Sequence, residues 1–188
     1  MEKKRIFAAI DISDETRERI AVYQRSLGQN FHDIPVKWEK PEKLHITLKF
    51  AGCIDNAALN SLTSNVAAAA ADTQPFSITL AETGAFVKRS SRSNVLWIGS
   101  SQRYVLDELA AKIDVQTIRR RLKPHITIAR IKDVQKAQPL IDHHLDSEFD
   151  PVTFKVKEIT IYESTLLPSG SVYGVVSRHR LAGEVTSG

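Results

Sequence analysis

An α+β fold of two similar lobes, each an antiparallel sheet with helices packed outside and a cleft between them, is the architecture this sequence predicts. Three observations lead to it. Alternating, strand-like segments interleave with helical ones along the chain, the order of the first half recurs in the second, and a tetrad beginning His-Ile-Thr occurs once per half, 80 residues apart.

Residues 5–12 form a short apolar run that reads as a buried strand. Ser13, the acids after it and then Ile20, Tyr23 and Leu27 read as a capped amphipathic helix ending near Gly28. Residues 44–50 alternate, with His45, Thr47 and Lys49 on one face and Leu44, Ile46, Leu48 and Phe50 on the other, before a turn at Ala51-Gly52. Residues 55–72 are helical in pattern, Pro75 breaks them, and 76–80 resume as a strand. Another buried strand is expected at 95–98, then a helix over 104–113, a basic stretch Arg119-Arg120-Arg121, a strand over 125–128 and a helix over 134–145. Residues 154–162 and 172–180 alternate across Pro168-Ser169-Gly170, which predicts a closing antiparallel hairpin.

At 188 residues, 42% hydrophobic and 26% charged, the chain suits one globular domain over 1–188, with two interleaved lobes and one motif each. No Pro/Gly/Ser-rich linker divides it. The net charge of +4 favours an anionic ligand such as nucleic acid without establishing one. A lone Cys53 and the lack of zinc-ligand spacing exclude a disulfide scaffold or zinc finger, so no metal is expected. The N-terminal apolar run is too short for a signal peptide or a membrane span, and a cytoplasmic location is expected by elimination.

The chemistry rests on His45-Ile46-Thr47-Leu48 and His125-Ile126-Thr127-Ile128. In a strand, residues i and i+2 share a side, so each tetrad presents one imidazole beside one hydroxyl. Two lobes packed about an approximate twofold axis bring both pairs into one cleft. In-line displacement at phosphorus needs a base at the attacking oxygen and an acid at the departing one, and two imidazoles with ordinary pKa values of about 6.5 fill both roles near neutral pH. The threonine hydroxyls supply donors for charge on the non-bridging oxygens. Symmetry alone does not say which histidine is the acid.

The paired motifs resemble those of the 2H phosphoesterase superfamily, specifically its RNA 2′,3′-cyclic phosphodiesterase branch, historically called 2′-5′ RNA ligases. Arg5-Ile6-Phe7-Ala8-Ala9-Ile10, Trp38, Leu44-His45-Ile46-Thr47-Leu48-Lys49-Phe50 with Gly52, Gly84-Ala85-Phe86, Val95-Leu96-Trp97-Ile98-Gly99, Pro124 through Arg130 and the tail from Tyr162 to Tyr173 are similar to family segments. The sequence departs from the pattern at Ala51, at Leu122 and in the short stretch between Ile113 and Arg121. The resemblance implies hydrolysis of a terminal 2′,3′-cyclic phosphate to a 2′-phosphomonoester, reversible 2′-5′ ligation, and no cofactor or metal. His45 is then the proton donor, His125 the proton acceptor, and Thr47 and Thr127 phosphate ligands. The implied partner is RNA with a 2′,3′-cyclic phosphate terminus, tRNA fragments among the candidates, with no membrane and no obligate protein partner.

Arg130 follows the second strand as a further phosphate ligand, although its parity relative to His125 and Thr127 does not match. Arg119 to Arg121 are equally a track for RNA or a solvated run. Trp38 and Tyr173 are candidate base contacts, whereas Trp97 and Phe7 have apolar neighbours that favour core packing. His32, His143, His144 and His179 share no repeated frame and read as surface residues. Three other readings stay open: an RNA-end-binding module without turnover, a phosphodiesterase for 2′-5′-linked or small cyclic nucleotides, and a histidine metal site.

Overall fold

The unbroken apolar run near the N-terminus becomes β1 (Lys4–Asp11), a central strand of its sheet whose Ile6 to Ile10 are all buried. This architecture comes from a computed structural model, which describes residues 3–88, 94–102, 104–114, 123–168 and 170–182. β1 pairs with β3 (His45–Ile54) on one side and β9 (Glu158–Leu167) on the other, and β10 (Gly170–Arg180) completes the order β10-β9-β1-β3. A second sheet runs β2-β7-β6-β5, built from Val36–Trp38, Ile126–Ile131, Asn94–Gly99 and Glu82–Phe86. β4 (Phe76–Leu80) and β8 (Val152–Val156) form a separate ribbon. Every pairing is antiparallel.

Helices cover the outer faces. α1 (Asp14–Asn30) starts where the Ser13 hydroxyl accepts the Thr16 N–H at 3.2 Å, and α2 (Asn56–Ala71) where the Asp55 carboxylate accepts the Ala58 N–H at 2.9 Å. α3 (Tyr104–Ile113) buries Leu106, Leu109 and Ile113, and α4 (Gln138–Asp146) buries Leu140 and Ile141. Each such side chain removed from water contributes about 1.5–3 kcal/mol. The α+β class and the antiparallel sheets match the sequence prediction.

Several boundaries differ, for local reasons. α1 runs past Gly28, which lies against Trp38: a Cβ there would meet the indole Nε1 at 3.6 Å, an ordinary contact. The chain does not turn at Ala51-Gly52; β3 continues through a bulge in which Gly52 takes φ +75°, a conformation cheap only for glycine. Residues 134–137 are a turn, and α4 begins where Pro139 fits a first helical turn. The 154–162 run is two strands parted at Lys157, and the first leaves the main sheet to pair with β4. β2 and β5 were not anticipated: β2 is three residues long, and β5 carries a glycine. Arg119, Arg120, Arg121, Leu122 and Ser169 lie outside the described residues.

His144 is not a surface residue. It is fully buried, its Nε2–H shared between the carbonyls of Gly84 and Trp97 at 3.2 Å each, while Nδ1 accepts the Tyr23 hydroxyl at 2.9 Å. The ring thereby ties α4 and α1 to β5 and β6. Burial pushes its pKa below the ordinary value, outweighing the two carbonyls that favour the charged form. The unfolded chain therefore binds this proton more readily than the folded one. Stability from this site is complete above about pH 6.5 and is lost as pH falls through the folded pKa. His144→Ala should cost about 2–4 kcal/mol through lost hydrogen bonds and a cavity, and should flatten the acid side of the stability profile. Urea unfolding of both proteins across the acid range checks this.

Candidate active site

The two motif strands carry the same irregularity. In β3, Ala9 faces Thr47 and Ala8 faces Lys49, leaving Leu48 as the extra residue. In β7, Trp97 faces Thr127 and Leu96 faces Ala129, leaving Ile128 extra. A bulge puts two residues opposite one and resets the alternation. After it, Lys49 leaves the face of His45 and Thr47 and pairs with Asp114 instead. Phe50 and Arg130, each five residues past its histidine, turn back into the cleft. The bulge is why Arg130, of mismatched parity in the sequence, stands beside Thr127.

His45, Thr47, His125, Thr127 and Arg130 line one cleft of about 390 Å³. The His45 Nδ1–H donates to the Lys43 carbonyl at 2.6 Å, and the His125 Nδ1–H donates to the Lys123 carbonyl at the same distance. A carbonyl only accepts, so each bond fixes the tautomer and leaves Nε2 as the working nitrogen. His45 Nε2 lies 3.1 Å from the Thr47 hydroxyl. Rings hold the imidazoles in place: Phe7 at 5.0 Å and Tyr173 at 5.6 Å from His45, Phe86 at 4.9 Å and Trp97 at 6.2 Å from His125.

The electrostatics of the two halves differ. Burial lowers both histidine pKa values. Around His45, the Lys43 carbonyl and then the carboxylates of Asp11 and Glu39 oppose that fall, with His125 adding to it. At His125 the Lys123 carbonyl opposes it, and the Arg130 cation deepens it. Asp11 faces His45 across the β1–β3 ladder and is itself held by the Tyr162 hydroxyl at 2.6 Å and the Thr160 hydroxyl at 3.0 Å. Arg130 Nε donates to the largely buried Glu39 carboxylate, leaving the rest of the guanidinium fork for another acceptor. Lys37 and Lys43 converge on the cleft mouth, 3.3 and 3.7 Å from where a Gly170 Cβ would be, with no carboxylate partner among the described residues.

Tyr173 lines the cleft, as does the largely buried Phe7, but Trp38 packs on Gly28 of α1 and does not. His32 and His143 are exposed, the latter against Phe31, and none of His32, His143, His144 and His179 reaches the cleft. Sequence reading missed Asp11, Glu39, Lys37, Lys43 and Phe50. The 80-residue offset held a usable signal for two of them, since it pairs Lys43 with Lys123 and Phe50 with Arg130 as well as the histidines. Among the described residues no three His, Cys, Asp or Glu side chains gather as metal ligands, and no helix is long and apolar enough to cross a membrane.

The family model described as LigT like phosphoesterase matches residues 10–97 and 100–173. The chain is 32% identical over 181 residues to the RNA 2′,3′-cyclic phosphodiesterase of Methanocaldococcus jannaschii, covering 92% of this chain and 98% of that one. It is 27% identical over 188 residues to the enzyme of the same name from Methanothermobacter thermautotrophicus, covering 95% and 100%. Among solved structures, E. coli LigT complexed with 3′-AMP superposes with a TM-score of 0.72 at 25% identity, covering 97% of this chain and all of that one.

Trp97 fills the floor under His125 only because Gly84 opposite it has no side chain; a Cβ there would lie 2.0 Å from Trp97 Cζ2. Gly84→Ala should displace the indole, cost about 1–3 kcal/mol through overpacking, and change the near-ultraviolet tryptophan signal. Thermal unfolding and circular dichroism check both.

Proposed function

The chain belongs to the LigT like phosphoesterase family, and from that premise we propose that it opens RNA 2′,3′-cyclic phosphate ends to 2′-phosphomonoesters by two-histidine acid–base catalysis, without a metal. The observation that carries the proposal is the pair of tautomer-fixed imidazoles, one from each sheet, turning Nε2 into a cleft that also holds Thr47, Thr127 and Arg130. Relatives named RNA 2′,3′-cyclic phosphodiesterase support the substrate class.

In this reaction a water oxygen bonds to phosphorus as the bond from phosphorus to the ribose O3′ breaks on the opposite side. His125, neutral, takes the water proton on Nε2; His45, protonated, delivers its Nε2 proton to O3′. The Thr47 and Thr127 hydroxyls and the free part of the Arg130 guanidinium hold the non-bridging oxygens, where charge grows in the transition state. The asymmetric surroundings support this direction. Carboxylates behind His45 favour its charged form, and Arg130 beside His125 favours the neutral one. A 5′-hydroxyl entering where water does would give a 2′-5′ linkage by the same displacement. The basic wall of Arg5, Lys37 and Lys43 suits a phosphate chain and makes binding salt-dependent.

Incubating a short RNA ending in a 2′,3′-cyclic phosphate with the protein in EDTA, and reading products by phosphorus NMR, should give a 2′-monophosphate. His45→Ala and His125→Ala should each lose about 10²–10⁴-fold. An intact ring after incubation with the wild type sinks the proposal.

The profile of kcat/KM against pH should be bell-shaped. Its acid limb reports His125, which must be neutral, and its alkaline limb His45, which must be protonated. Asp11→Asn removes one carboxylate that holds the His45 pKa up, so the alkaline limb should move to lower pH while the acid limb stays. A shift of both limbs together would contradict the assignment.

A further inference from the structure

Among the described residues that line the cleft, Glu39 is the only carboxylate, set against Arg5, Lys37, Lys43 and Arg130. Its side chain is only 11% exposed, so an acid stands largely buried in a site suited to an anion, where burying a charge is costly. The main chain places it there. The Glu39 N–H donates to the carbonyl of Ile128, the bulge residue of β7, at 2.9 Å. Its own carbonyl accepts the side-chain amide of the buried Gln24 at 2.9 Å, and the same amide donates to the Ile128 carbonyl at 2.7 Å.

Holding Arg130 does not by itself require a negative charge, because an amide oxygen would accept the Nε–H as well. The charge reaches further than that hydrogen bond. Burial raises the pKa of Tyr173 on the other sheet, and Glu39 adds to the rise; at His45 the same carboxylate opposes the fall that burial imposes.

The reaction changes charge where this field acts. The cyclic diester is a monoanion. Opened by water, it becomes a monoester whose second proton dissociates to solvent near pH 6, so at neutral pH the product carries one negative charge more than the substrate. The Arg130 guanidinium holds Glu39 at Nε, and a phosphate on its free amino groups would lie within a few ångströms of that carboxylate.

We propose that Glu39 is a charge filter, disfavouring dianionic phosphomonoesters relative to the monoanionic diester, so that a cleft basic enough to capture RNA ends also lets the 2′-phosphomonoester go. The inference rests on the reading of this cleft as the place where the diester is opened. It implies that RNA ends already carrying a monophosphate compete poorly with cyclic ends.

The test compares 2′-AMP with adenosine 2′-sulfate, a tetrahedral ester of similar shape that stays a monoanion. Calorimetry at pH 8 measures the binding of each to wild type, Glu39→Gln and Glu39→Asp. At that pH the phosphate is dianionic, and both cleft histidines, lowered by burial, are neutral. Gln keeps an acceptor for Arg130 and loses the charge. Coulomb energy scales with the charge on the ligand, so Glu39→Gln should tighten the sulfate roughly threefold and the phosphate roughly tenfold, about the square of that factor. Glu39→Asp should keep the wild-type ratio of the two affinities. Progress curves for adenosine 2′,3′-cyclic phosphate should bend earlier with Glu39→Gln, as 2′-AMP accumulates and stays bound. A ratio that Gln leaves unchanged, whatever happens to each affinity, would make Glu39 a positioning residue for Arg130 and overturn the proposal. Equal loss of discrimination in Gln and Asp would trace the effect to geometry and overturn it too. A ratio changed by Gln alone, in a protein whose wild type opens no ester, would sink the hydrolytic reading and keep the filter. Turnover with an unchanged ratio would sink the filter alone.

Discussion

The cleft depends on one backbone device, the single extra residue after each His-x-Thr. A regular strand would hold every second side chain on the same face, so Lys49 and Ala129 would follow the threonines into the cleft while Phe50 and Arg130 would point away. The bulges at Leu48 and Ile128 reverse both outcomes. Each extra residue is itself fully or almost fully buried. The irregularity is therefore paid for by apolar burial under the sheet, and the ladder resumes on both sides of it. The hydrogen bond from each Nδ1 to the carbonyl two residues earlier works on the same scale: local backbone geometry, set by the strand, aims the imidazole before any long-range contact is made.

The two motif strands repeat one another, but the charges around their histidines do not. Two equivalent imidazoles would share a proton with no preference, and the surrounding charges break the tie. Asp11 belongs to the strand paired with β3, and Glu39 follows β2 and is pinned under Arg130. Arg130 thus lies between a carboxylate it neutralises in part and an imidazole it discourages from charging. Phe50 is the apolar counterpart of Arg130 on the other sheet. The same position in the repeat thereby carries an apolar ring on one side and a charge on the other.

How far the sequence could be read follows from where these effects arise. Periodicity reports burial within one segment, so β1, α2, α3, β4 and the closing hairpin were legible within a few residues. It failed where partners decide. The 154–162 run alternates throughout, yet Lys157 divides strands that belong to different sheets. β2 is too short for any period to register, and Gly28, which reads as a helix end, sits inside α1 against Trp38. His144, polar and next to another histidine, gave no local sign that two carbonyls and a tyrosine hydroxyl awaited it.

The site shows the same division. The histidines and threonines declared themselves because the repeat doubled the signal, and i, i+2 parity is a property of the strand alone. Arg130 was found by its nearness in sequence but with the wrong parity, because a bulge is a relation between two strands. Asp11 had no signal at all: nothing in residues 4–11 says that its partner across the ladder is His45, or that Tyr162 and Thr160, some 150 residues away, would orient its carboxylate. The imidazoles and hydroxyls of the proposed reaction lie in the motif, whereas the groups that tell one imidazole from the other are supplied by pairing. A repeat read from sequence therefore reaches the symmetric part of this site and stops where its surroundings become asymmetric.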